Sequence, residues 1–105
     1  MITEYIRYAL PSDRVNDLEP AYQRAAQWLD HSPHCLGYEL SRCTEAPDHY
    51  TLRIHWDSHD GHLKGFRSSD DFKRFYAEIA GFIPFIKEMR HYDITAVASQ
   101  KKGVQ

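Results

Sequence analysis

The stretch that decides the fold runs from His34 to Trp56, as HCLGYELSRC (34–43), TEAPD (44–48) and HYTLRIHW (49–56). In the last segment Tyr50, Leu52, Ile54 and Trp56 alternate with His49, Thr51, Arg53 and His55. Successive side chains of an extended chain point to opposite faces, so this period of two marks a strand with one apolar face. The first segment puts Leu36, Tyr38 and Leu40 on one face of a second strand. Only TEAPD joins them, which is a turn, so the two strands form an antiparallel hairpin.

Working outward, ITEYIRYAL sets Ile2, Glu4, Ile6, Tyr8 and Leu10 against Thr3, Tyr5, Arg7 and Ala9, again with period two, and Pro11 ends it. Leu18, Tyr22, Ala25 and Leu29 then recur at helical spacing, with Ala21 and Trp28 widening the stripe. Asp17 is the expected N-cap, which leaves Pro20 in the first turn where proline is tolerated. Ser32-Pro33 closes this helix. Beyond Trp56, Asp57 or Ser58 caps a short helical stretch carrying Leu63 and Phe66. Ser68 or Ser69 caps a longer one, in which Phe72, Phe75, Tyr76, Ile79 and Phe82 line one side before Gly81 and Pro84 stop it. Residues 87–97 are expected to be the last strand. Residues 1–98 read as one domain and 99–105 as a flexible tail.

The order is β-α-β-β-α-β. That is the split βαβ arrangement of an α+β, ferredoxin-like fold, with a four-stranded antiparallel sheet carrying both helices on one face. The other face also bears sizeable side chains, with Tyr5 opposed to Tyr8 and Tyr92 opposed to Met89. A sheet facing water alternates more cleanly. A symmetric homodimer through the second sheet face is the expected assembly.

The 105 residues, 42% of them hydrophobic, are enough for one core without metal or disulfide staples. A net charge of -2 and a pI near 6.4 lack the basic footprint of a nucleic-acid binder. No apolar run approaches the roughly 20 residues that span a bilayer. MITEYIRYAL carries Glu4 and Arg7 within its apolar stretch and is not read as a signal peptide, so a cytoplasmic protein is expected. Cys35 and Cys43 share one strand, roughly 26 Å apart at ~3.3 Å per residue, too far for a disulfide. They are expected to be free thiols.

Chemistry concentrates in RIHWDSHDGHLKGFRSSDDF (53–72). His59 and His62 can share a helix face, with Asp57 or His55 to complete a metal set. Yet there is no HExxH, CxxC or facial-triad spacing, so no metal is expected. Asp57, Asp60, Asp70 and Asp71 are explained as carboxylates at helix starts. No GxSxG or glycine-rich phosphate loop is present. Trp56, Phe66 and Tyr76 belong to inward faces and either fill the core or line a cavity for a flat apolar ligand.

The run from SPHCLGYEL through YTLRIHWDS to HLKGFRSSDDFKRF resembles the antibiotic biosynthesis monooxygenase domain family. The resemblance rests on Gly37 to Glu39, Trp56 and Ser69 to Phe72, and it covers residues 2–97. It implies a dimeric α/β barrel and oxidation of a small aromatic or quinol-type substrate by O₂ with no cofactor. The asparagine, tryptophan and histidine of the heme-degrading branch are not matched, since no Asn precedes Asn16 and Phe66 and Tyr76 stand at the later positions. The helix histidine of the quinol-oxidising branch is also absent near Phe66, with His62 one turn earlier. On this reading His55, His62 and Tyr76 are the catalytic candidates, because a neutral histidine accepts a phenolic proton near neutral pH. Trp56, Phe66, Arg53 and His91 are the substrate-binding candidates. The alternative is a non-catalytic dimeric module of the same fold that binds a small molecule or a protein partner.

Overall fold

A computed structural model of the chain describes residues 1–101. Strands β1 (Ile2–Ala9), β2 (Cys35–Arg42), β3 (His49–Trp56) and β4 (Ile86–Asp93) form one sheet in the order β2-β3-β1-β4, antiparallel throughout. Helices α1 (Leu18–His31) and α2 (Asp70–Ile79) pack on one face. A wide helical turn, Gly61–Phe66, leads into α2, and a 3₁₀ segment, Ala80–Phe85, leads out of it. This is the ferredoxin-like arrangement expected from the alternation. Ser69 caps α2, its hydroxyl accepting from the Phe72 N–H, with Asp70 and Asp71 in the first turn. Asp17 sits at the start of α1 without capping it, and its carboxylate pairs with Arg14 instead.

The helix-side face of the sheet is built from Ile2, Ile6 and Tyr8 of β1 against Trp56, Leu52 and Tyr50 of β3, paired in register. With Leu18, Ala25 and Leu29 of α1 and Phe66, Phe75, Ile79 and Phe82 below, they form one core. At roughly 25 cal/mol per Å² of apolar surface removed from water, burial of these large side chains is the main force holding sheet to helices. Tyr8 and Tyr22 are buried with their hydroxyls 2.5 Å apart, each satisfying the other.

Three expectations need correction. The register of β2 shifts between Cys35 and Gly37. This bulge turns Leu36 to the open face, where it is 56% exposed, while Tyr38 and Leu40 stay against the core. The last strand ends at Asp93, not at residue 97, because its partner β1 begins at Ile2, which pairs with Asp93. The second helix is split, the Phe82 turn being 3₁₀ around Pro84. Both cysteines are free. Residues 102–105 of the expected tail lie outside the described residues.

Candidate functional site

A carboxylate on an apolar strand face must find partners where it points, or its burial is costly. Glu4 is such a residue. It occupies the helix side of β1 between Ile2 and Ile6 and is 4% exposed. Its neighbours across the sheet are Ile54 on β3 and His91 on β4.

Trp56 Nε1–H donates to Glu4 Oε1 at 3.2 Å. His62, delivered by the wide turn before α2, places Nε2 at 3.3 Å from the same oxygen. His91 Nε2 lies 3.0 Å from His62 Nδ1 and 3.8 Å from Glu4 Oε2. His59 stands edge-on to His91, their ring centroids 5.6 Å apart. The result is a line of polar groups from a buried carboxylate to the surface.

Burial pushes the Glu4 carboxyl above its ordinary value, against the Trp56 hydrogen bond and the Arg67 charge, which pull it down. Burial also lowers His62 to about 4, helped by His91, Arg67 and His59. His91 is lowered as well, by its own burial first and then by His59 and Arg67. His62 is therefore a neutral imidazole at neutral pH. An ionised Glu4 only accepts, so the hydrogen of His62 belongs on Nε2; its Nδ1 then accepts from His91 Nε2–H. Protons can move along such a line by exchanging which nitrogen carries the hydrogen.

Glu4, Trp56 and His62 line a partly open cavity of about 160 Å³ between sheet and helices. Ile6, Ile54, Phe66, Phe75 and Ile79 make its apolar walls, with Arg67, Phe72, Tyr76 and Met89 at the mouth. A wider depression of about 580 Å³ lies on the opposite sheet face, over Thr3, Tyr5, Thr51 and Tyr92. That depression is open to solvent and holds no buried titratable group. The smaller cavity has the chemistry.

The structure brings together His62, Trp56, Phe66, Tyr76 and His91, although His91 belongs to the proton line beside Glu4 and not to the cavity wall. Tyr76 is 44% exposed, a rim residue. His55 and Arg53 are separated from them. The period of two that puts Trp56 inward sends both to the open face, where His55 Nδ1 meets the Thr3 hydroxyl at 3.1 Å and Arg53 pairs with Glu39. Asp57 binds His34 at 3.0 Å and takes no part with His62. Glu4 is the residue that sequence alone does not single out. Its signal was present, as one charge in the apolar series Ile2, Glu4, Ile6, Tyr8, Leu10.

The family model for antibiotic biosynthesis monooxygenases matches residues 1–78. The chain belongs to that family. A candidate antibiotic biosynthesis monooxygenase of Bordetella bronchiseptica superimposes with a TM-score of 0.75 at 27% identity, over 90% of this chain and 96% of that one. SnoaB of Streptomyces nogalater, a cofactor-independent oxygenase solved in a mutant form, shares the fold with a TM-score of 0.70 at 16% identity, over 93% and 94% of the two chains. An uncharacterized Bacillus subtilis protein, YczJ, is 23% identical over 92 residues, covering 88% of this chain and 97% of its own. The matched region contains Glu4, Trp56 and His62; His91 lies beyond it. Among the described residues no helix is long and apolar enough to cross a membrane.

Proposed function

We propose that the protein is a cofactor-independent monooxygenase acting on a small, single-ring phenol or quinol. The observation that carries this reading is the Glu4–His62–His91 line opening onto an aromatic-walled cavity. A cavity of about 160 Å³ has the size that accommodates one benzene ring. A larger fused-ring substrate requires Tyr76, Phe72 and Met89 to move aside at the mouth.

The chemistry follows from the groups present. A quinol hydroxyl facing Glu4 loses its proton to the carboxylate, and the proton leaves to water once both rings carry their hydrogens on Nδ1, so that His62 Nε2 accepts from the Glu4 carboxyl and His62 Nδ1–H donates to His91 Nε2. The phenolate, held in a largely apolar cavity with the Arg67 guanidinium at the mouth, is electron-rich enough to reduce O₂ by one electron. Recombination forms a carbon–oxygen bond. Loss of water then leaves a hydroxyquinone, so that quinol plus O₂ gives hydroxyquinone plus water, with every atom and electron accounted for. Assembly as a homodimer through the open sheet face belongs to the same reading and is supported by the exposed apolar groups Leu36, Tyr92 and Ile94.

Oxygen uptake by metal-stripped protein over a panel of single-ring hydroquinones tests the proposal. Chelator-resistant uptake is expected, with Glu4→Gln lowering the rate by about 10²–10⁴-fold, the usual scale for a general base, and His55→Ala retaining it. If folded protein binds a hydroquinone but consumes no oxygen across the panel, the non-catalytic binding module replaces this reading.

A further inference from the structure

Glu4, His62 and His91 come from β1, from the turn before α2 and from β4, and are distant in sequence. Among the described residues they are the one group of three or more metal-ligating side chains whose donor atoms all lie within 4.8 Å of one another. Two imidazoles and a carboxylate on three separate elements, beside a cavity, form the facial donor set that binds first-row divalent metals with positions left open. We infer that this constellation is a binding site for a divalent cation of zinc-like hardness, with Glu4, His62 and His91 as its three protein ligands.

The donor atoms already lie close together. Glu4 Oε1 is 3.3 Å from His62 Nε2, and Glu4 Oε2 is 3.8 Å from His91 Nε2. Tetrahedral ligands about 2.0–2.1 Å from zinc stand roughly 3.3 Å apart. Glu4 and His62 are held by Trp56 and the core, and His91, a partly exposed side chain on an edge strand, closes the remaining gap by turning its Nε2 away from His62 Nδ1. Each imidazole presents a free Nε2 to a cation once its hydrogen sits on Nδ1. Trp56 Nε1–H on Glu4 Oε1 supplies the outer hydrogen bond that fixes a ligand's orientation.

The inference stands apart from the oxygenase reading. Metal and proton transfer use the same lone pairs, so a bound cation blocks the proton line and leaves the fold intact. Calorimetric titration of chelator-treated, full-length protein with zinc chloride is the test, with thermal unfolding as a second readout. One zinc per chain is expected, with melting temperature rising as zinc is added. His91→Ala, whose side chain is partly exposed and outside the core, is expected to weaken binding tenfold or more on the scale of lost metal ligation. Glu4→Gln is expected to do the same, and His55→Ala on the opposite face to change nothing. Absence of stoichiometric binding overturns the site. So does binding that survives both His91→Ala and Glu4→Gln, which assigns the metal to other histidines. Neither result depends on whether the protein consumes oxygen.

Discussion

The Trp56 indole lies flat on the His62 imidazole, ring centroids 4.5 Å apart and planes 14° from parallel, while its Nε1–H donates to the Glu4 carboxylate that His62 also contacts. One fully buried side chain thus fixes both the base and its proton carrier. Trp56→Phe keeps an aromatic ring and deletes the donor. Stability should fall by about 1.5–3 kcal/mol, the scale of one hydrogen bond to a charged group, His62 Nε2–H remaining on the same oxygen. The carboxyl, already raised by burial, should rise further once the hydrogen bond that lowers it is gone. The loss should therefore be largest at pH 7 and shrink as pH falls and Glu4 takes up a proton. Urea unfolding at both pH values checks this; an equal loss at each would mean that the indole acts through packing alone.

Protonation of His62 sets a second, separable pH dependence. Its folded-state value of about 4 lies below the ordinary 6.5, so the unfolded chain takes up a proton first as pH falls. The stability tied to neutral His62 is fully present above pH 6.5 and lost between there and about pH 4, after which it levels off. The displacement corresponds to about 3 kcal/mol. His91 pushes in the same direction and Glu4, whose carboxyl is raised, in the opposite one. Subtracting the unfolding free energies of His62→Gln from those of the native protein isolates the His62 contribution. A difference that stays flat from pH 7 to 4 would show that His62 titrates in the folded protein as it does in water.

Much of the architecture was legible because the strands alternate. Ile54 and Trp56 are inward and Arg53 and His55 outward by the same rule, and the observed faces follow it. That rule also separates His55 from the cavity, since a histidine adjacent in sequence to Trp56 cannot share its face on a regular strand. The Leu36 bulge has no such signature, because a register shift depends on how the partner strand pairs. Glu4 was visible as a charge amid apolar neighbours, but its meaning needed His91, which only the placement of β4 beside β1 supplies. The wide turn that delivers His62 is equally a tertiary outcome, shaped by what packs against its backbone.

That packing is specific enough to test. The His34 ring, hydrogen-bonded to Asp57, lies across the backbone at Gly61 and Gly65. A Cβ on Gly65 would stand 2.4 Å from His34 Cδ2, a distance that cannot be accommodated without movement. Gly65→Ala should cost about 1–3 kcal/mol, the range for overpacking a fitted contact. Replacing His34 by alanine in the same chain should return most of it, since the obstacle is the imidazole. Unfolding of the two single variants and the double variant gives the coupling directly. Additive losses would place the strain in the turn itself.

The open sheet face raises the question of what covers it. Tyr5 and Tyr92 meet edge to face at 5.2 Å on one side of it, and Leu36 on the far edge strand and Ile94 just past β4 also expose much of their apolar surface. Arg53 pairs with Glu39 and Arg90 with Glu88, so the charges on this face are largely balanced within the chain. Apolar groups on both edge strands, with internally compensated charge between them, suit a second copy related by a two-fold axis. In such a dimer every substitution appears on both sides of the interface, so Tyr92→Glu would introduce two carboxylates at once. Sedimentation equilibrium at micromolar concentration should find a dimer for the native chain and a monomer for Tyr92→Glu, with the cavity on the far side of the sheet undisturbed. A native chain that sediments as a monomer would remove the dimer. A variant that stays dimeric would move the interface to another surface.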